Sequence, residues 1–336
     1  MATGAASSSR ECALLLSLIA FASACASASS RGPDTSLSEA ESLAIGLEYD
    51  DTIFTQSART RNFTGQGVIP RYTYTRATNT YEGNVHKSDP DDQDLKVYRT
   101  TVRVVYGATE DATVGLTVPY LVKSLKTGVG GSRVTLNSDG VGDVTLSGKW
   151  RLFKKPELGG TTEIAAIFGL ELPTGQDDVR DNGMRLPAPL QPGSGSVDAI
   201  LGLAGTRLWD GGRWLVNTDL IYKANSEAND YRFGNVLRFD AGMQFRAYPI
   251  RYERYDQFTL NLILEVNGRY AERDKVNGDP VDASGGLLIL LSPGVQTIVT
   301  ENLLFEAGIQ FPVFRHLHGL QLSEDVSGTV GARLLF

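Results

Sequence analysis

Few residues in this chain have the types and spacing for bond-making chemistry. Its three histidines are His86, His316 and His318, and the stretch HLHGLQLSED brings His318 close in sequence to Ser323. A serine and a histidine can carry acyl transfer when a third polar group orients the imidazole, as enzymes that cleave lipid esters require. All three histidines fall where outer loops are expected, so loop surface is their expected role and no catalytic residue is assigned. The acidic runs DPDDQD and QDDVRD could meet Ca²⁺, but they lack the glycine spacing and the terminal glutamate of a calcium loop. They are expected to be solvated loops, and neither a metal site nor a cofactor is expected. Asn62-Phe63-Thr64 has the form of a glycosylation acceptor, which means little for a bacterial export substrate.

A larger set of charged groups recurs at every second position. Arg99, Arg103, Lys149, Arg151, Glu163, Glu171, Asp219, Lys223, Arg238, Asp240, Arg246, Glu265, Arg269, Glu306 and Arg333 lie on the polar sides of alternating segments. Pointed inward, they would line a lumen in which opposite signs mix with a slight basic excess. Two outcomes stay open. The charges can pair across the lumen and fill it, or they can line a watery path whose basic excess favours anionic or aromatic solutes.

Strands are the elements that would position such residues. FTLNLILEVNGRY sets Phe258, Leu260, Leu262, Leu264, Val266 and Tyr270 on one face, with Thr259, Asn261, Glu265, Asn267 and Arg269 on the other. Twelve such segments lie near 68–78, 95–107, 112–122, 142–153, 161–172, 197–209, 213–223, 234–247, 257–270, 285–299, 303–314 and 324–336. Most have the length of a tilted transmembrane strand, roughly 9–11 residues. Every second connection is short or moderate (ATED, KKPELGG, DGG, PIRYERYDQ, TEN) and the others are mostly longer, which is the pattern of periplasmic turns and outer loops. Tyr106, Tyr120, Trp150, Trp209, Trp214, Tyr222, Tyr248 and Tyr270 fall near segment ends, where an interfacial aromatic girdle belongs.

The expected fold is therefore all-β, a transmembrane antiparallel up-and-down β-barrel of about 12 strands. A soluble β-sandwich is the competing class, and the last residues disfavour it. SGTVGARLLF ends on the aromatic Phe336 with no polar tail. An apolar terminal strand left at a sheet edge invites aggregation, so it must be paired on both sides, as closure achieves. From what is general to outer-membrane barrels, Phe336 is read as the assembly signal for the barrel-assembly machinery.

Residues 1–28 have the form of a secretory signal peptide, with Arg10, the apolar run from Ala13 and the small residues Ala26-Ser27-Ala28. Both cysteines, Cys12 and Cys25, lie in it, so the mature chain is expected to hold neither disulfide nor thiolate site. ASAC ending at Cys25 loosely matches a lipoprotein cleavage box, but Ala22 stands where a large aliphatic is usual. Residues 29–65 lack strand alternation, and Leu37, Ala40, Leu43, Ala44 and Leu47 follow a helical spacing. That stretch is read as a periplasmic extension or a plug, ahead of the barrel at 66–336. A net charge of −7 argues against nucleic acid, which wants a basic face.

Five stretches in order, VYGATEDATVGLTVPYL, GVGDVTLSGKWRLF, GLELPTGQ, PGSGSVDAILGLAGTRLW and LSPGVQTIVTENLLFEAGIQFPV, resemble the family named for the "putative MetA pathway of phenol degradation". The resemblance runs from about Thr101 to Phe336. It implies an outer-membrane, transporter-like barrel passing small, often aromatic or hydrophobic compounds, and it carries no catalytic residues. Read on their own, these stretches are barrel-rim turns: Gly140, Gly142 and Asp143 open a strand, and Pro173-Thr174-Gly175 stops one. The expected function is passive uptake across the outer membrane of a Gram-negative bacterium, with lipid, the assembly machinery and a small solute as partners. The alternative is a non-transporting surface barrel whose outer loops bind a partner or anchor the envelope.

Overall fold

A computed structural model of the protein describes residues 52–61, 64–89, 91–129, 132–254 and 257–336. The signal-peptide residues, Cys25 and the helical spacing of Leu37 to Leu47 lie outside them. All strands belong to one compact unit, Leu37–Leu335.

Eleven long elements form one sheet: β1 (Gln66–Gly83), β2 (Asp94–Thr109), β3 (Ala112–Val129), β4 (Val144–Glu157), β5 (Gly160–Leu172), β6 (Asp198–Trp209), β7 (Trp214–Ala224), β8 (Val236–Tyr248), β9 (Thr259–Ala271), β10 (Gly286–Thr300) and β11 (Leu303–Leu335). Each pairs antiparallel with the next, and β11 pairs antiparallel with β1 to close the barrel. An odd number of alternating strands would bring the first and last together in parallel, so one element must reverse. That element is β11. Residues 303–317 pair with β10 and residues 317–335 pair with β1. The chain doubles back at Gly319, whose φ of +67° suits a residue without Cβ, and the Leu335 N–H donates to the Asn302 carbonyl at 2.9 Å. The backbone thus crosses twelve times, and no open edge remains along the barrel wall.

The alternation works as a two-sided rule. On β9, Leu262, Leu264 and Val266 are 47%, 46% and 44% exposed, whereas Glu265 between them is 1% exposed. Apolar side chains turned outward suit hydrocarbon, while closure satisfies every ladder N–H and C=O without water. The inward side is not wholly polar, since Ile263, Leu288 and Leu290 are buried on it. The aromatics fall at two levels. Tyr106, Trp209, Trp214 and Tyr248 lie at the ends joined by short turns, and Trp150 shares that level by pairing with Ala112. Tyr120, Tyr222 and Tyr270 lie toward the opposite end. Trp209 and Trp214 stack across their hairpin, with ring centroids 6.3 Å apart.

On the long-loop side, strands run further than the alternation predicts. β1 continues to Gly83 and β3 to Val129, and the short strands Val85–Lys87 and Ser132–Val141 fold back onto them. Above the hydrocarbon both faces meet water, so the apolar period lapses while the ladder bonds remain favourable. For the same reason the histidines are not loop residues: His86 sits in Val85–Lys87, and His316 and His318 sit in β11 beside its turn. His318 Nδ1 is buried with no hydrogen-bond partner, so that nitrogen does not pair with Ser323. Among the described residues, no group of three or more His, Cys, Asp or Glu is placed to hold a metal ion.

Two long loops join through a small sheet of Glu227–Ala228, Tyr231–Arg232, Lys275–Val276 and Asp279–Pro280. There the Tyr231 phenol donates to the Asp274 carboxylate. Burial, followed by that carboxylate, pushes the phenol above its ordinary value.

Candidate functional site in the barrel lumen

All fifteen charged residues expected to line the lumen, with half-buried Lys223 among them, lie on strand sides opposite the exposed apolar rows. Lys149, Glu163, Asp219, Asp240, Arg246, Glu265, Glu306 and Arg333 are buried, Arg103, Arg151, Glu171 and Arg238 are half-buried, and Arg99 and Arg269 are exposed. Several are brought together. Asp219 and Asp240 are register partners on β7 and β8, and Arg238 Nη2 donates to Asp240 Oδ2 at 2.6 Å. Lys223 Nζ lies 2.5 Å from Glu171 and 3.0 Å from Asp198, and Arg151 lies 3.5 Å from Glu163. Glu306 receives Arg333 at 2.7 Å and Arg71 at 2.6 Å, Arg71 being a partner that the sequence reading did not single out. Arg246 instead donates to the Gly211 carbonyl and lies 4.1 Å over the Tyr252 ring.

From Thr52 to Arg61 the described part of the 29–65 stretch hydrogen-bonds to inward side chains, several of these charges among them. The Glu265 carboxylate accepts from three successive amides, Ile53, Phe54 and Thr55, at 2.9, 3.1 and 2.7 Å. It also accepts from the hydroxyls of Thr52 and Thr55 at 3.1 and 2.6 Å. Further along, the Gln56 N–H donates to Asp219 at 2.6 Å, the Ala58 N–H to Thr206 Oγ1 at 2.7 Å and the Arg61 N–H to Thr113 Oγ1 at 2.8 Å. Arg59 reaches Glu163 at 3.4 Å. Ala58 packs with Ala165, Ile167, Ala204 and Ile221 in a buried apolar cluster. Thr52 to Arg61 therefore threads across the inward faces of β3, β5, β6, β7 and β9. The sequence left 29–65 open between a periplasmic extension and a plug and named none of the wall groups that receive it, although glycines at the inward positions Gly242, Gly294 and Gly308 were a usable signal.

At the long-loop end, three glycine-rich stretches that read separately as rim turns meet around Asp143. Its carboxylate accepts from the Gly175 N–H at 2.8 Å and from the Ser194 N–H and hydroxyl at 2.6 and 2.7 Å. The Gly193 N–H donates to Gln176 O, and the Gln176 N–H to Val141 O. A Cβ on Gly175 or Gly193 would lie within 2.7–2.8 Å of backbone atoms, so only glycine permits this approach. The pinned 173–197 loop is also tied to β3, where Lys123 Nζ donates to the carbonyls of Pro189 and Gln191 at 3.0 and 2.6 Å. Asp143→Ala strands three donors, a loss of about 1–3 kcal/mol. Amide exchange across 173–197 should accelerate while the barrel strands stay protected; unchanged protection in the loop would contradict this account.

Between the threaded segment and the wall lies a cavity of about 360 Å³. Arg59, Arg61, Arg103, Lys149, Arg151, Lys154 and Arg333 line it against the single carboxylate Glu163, with Ile69, Val105, Ile167 and Leu335 as apolar wall. Such a chamber can accommodate an apolar body bearing an anionic or polar group.

The family described as "Putative MetA-pathway of phenol degradation" matches residues 75–313, most of the closed sheet. The chain belongs to this family. The matched region takes in the Asp143 cluster, Glu265 and Glu306, and leaves out Thr52 to Arg61, Arg71 and Arg333. The family's barrel in this chain is similar to the crystal structure of the COG4313 outer membrane channel from Pseudomonas putida F1. The identity is 14% over 83% of this chain and 98% of that one, with a TM-score of 0.63, a likeness of fold. A looser likeness is to the translocator domain of autotransporter NalP from Neisseria meningitidis, at 13% identity over 87% and 91% of the two chains and a TM-score of 0.43. No curated protein matches the sequence. The family member is a closed β-barrel with a fold similar to that of the P. putida outer membrane channel.

Proposed function

We propose that this protein is a passive channel of the Gram-negative outer membrane for small aromatic or hydrophobic compounds. The carrying observation is the two-sided wall: apolar outward, and ionic along the inward side of one closed sheet. Membership of a family named for phenol degradation supports the solute class, and the name of the P. putida channel supports the mode of action. On this reading Phe336 is the signal by which the barrel-assembly machinery inserts the chain, and the fifteen inward charges line the route. Liposomes carrying the protein should swell in graded sugars and aromatic acids faster than protein-free liposomes. Equal rates, for the full chain and for a chain lacking Thr52 to Arg61 alike, reject the channel.

The cationic chamber adds a sign. The lining holds seven cations and one carboxylate; even with Arg333 paired to Glu306 and Arg151 to Asp111 the basic excess raises the local concentration of anions, so single-channel reversal potentials in a salt gradient should report anion selectivity, and cation selectivity would overturn that assignment. A second reading, a surface barrel that transports nothing and binds a partner through its outer loops, is favoured by the threaded segment Thr52 to Arg61. Swelling decides between them.

A further inference from the structure

The segment Thr52 to Arg61 is held in an unusual way for chain inside a β-barrel. The amides of Ile53, Phe54, Thr55, Gln56, Ala58 and Arg61 all donate to wall side chains. The segment adds no strand to the sheet, and its departure would leave the barrel ladder intact. The side chains that receive it are polar groups which water in the lumen can solvate in its place.

The wall that receives it is nonetheless shaped for it. Three consecutive amides converging on one carboxylate form a nest, and hydrogen bonds to an ionised acceptor are about twice as strong as neutral ones. Ile53, 1% exposed, seats where the wall lacks side chains: a Cβ on Gly294 would lie 2.4 Å from its Cδ1, and one on Gly308 3.1 Å. Gly242 leaves room likewise for the hydroxyls of Thr52 and Thr55. Arg333 Nη2 closes the site by donating to the Thr52 carbonyl at 3.1 Å. Carboxylate, glycine slot and guanidinium come from β8 to β11, so the site is a product of the closed wall.

We propose that this wall face is a peptide-binding site that reads the backbone and side chains of Thr52 to Thr55, and that the segment is a displaceable blocker of the lumen. The occupant is the chain's own segment, and the same ten residues act when supplied as a separate peptide. This rests on the channel reading above for its effect on current, but not for the binding itself.

The test uses the full chain in planar bilayers and liposomes. Ile53→Asp puts a charge into the glycine slot and leaves the wall untouched; it should raise conductance several-fold and expose Arg59 to trypsin. A synthetic peptide of residues 52–61 should return Ile53→Asp to the wild-type current. Glu265→Ala should also open the channel, but there the peptide should act at least about tenfold more weakly, the factor expected for losing hydrogen bonds to a charged group. Unchanged current and unchanged trypsin protection in Ile53→Asp overturn the blocker, and a peptide without effect on that variant overturns the site. If Ile53→Asp exposes Arg59 to trypsin and a fluorescently labelled 52–61 peptide binds that variant by anisotropy while no variant passes current or solute, the peptide site stands and the channel reading fails.

Discussion

Arg333→Ala should lower the stability of the closed barrel by about 3–5 kcal/mol, the usual cost of stripping one partner from a buried ion pair. Glu306, 3% exposed, sits in the first half of β11. It accepts from Arg333 Nε and Nη2 in the second half at 3.0 and 2.7 Å, and from Arg71 Nε on β1 at 2.6 Å. Its carboxylate therefore bridges all three strand passes at the seam where the sheet closes. Without Arg333 it remains buried with Arg71 and Gln296, short of two charge-assisted bonds. Unfolding by urea in lipid, followed by the gel shift between folded and unfolded barrels, should move to lower denaturant. Arg333→Lys, which keeps the charge and loses the fork, should fall between. An unchanged midpoint for Arg333→Ala would remove the seam from any account of stability.

Leu264→Arg tests the opposite side of the neighbouring residue. Leu264 is 46% exposed on the outward row of β9, midway along the strand, and Glu265 beside it is 1% exposed. An arginine facing hydrocarbon near the bilayer midplane costs about 2–4 kcal/mol, whereas near the interface it costs about 0–1. Leu264→Arg should consequently unfold well before wild type in the same assay, and Tyr270→Arg, toward the strand end, should hardly differ from it. Equal effects at the two depths would mean that the outward row does not face lipid.

These contrasts separate what is local in the chain from what is not. The row Leu262, Leu264 and Val266 and its opposite row Asn261, Glu265 and Asn267 are visible in FTLNLILEVNGRY, because a strand has period two and hydrocarbon demands apolar side chains on one face only. Strand ends on the long-loop side were less legible, since the extensions to Gly83 and Val129 lie where neither face is constrained by lipid. The rim motifs were visible as turns but not as one cluster. Nothing local in Gly175 or Ser194 points to Asp143, more than thirty residues earlier in the chain.

By itself the sequence determined the class of fold, the number of crossings and which side chains turn inward, because each of these follows from alternation and turn chemistry within a few residues. Only the tertiary structure decided what the inward charges meet. Glu306 reaches Arg71 and Arg333 across the seam, and Glu265 gathers the amides of Thr52 to Thr55 from more than two hundred residues away. Partners across a lumen are set by how the sheet closes and by what lies inside it, and no spacing along the chain encodes that.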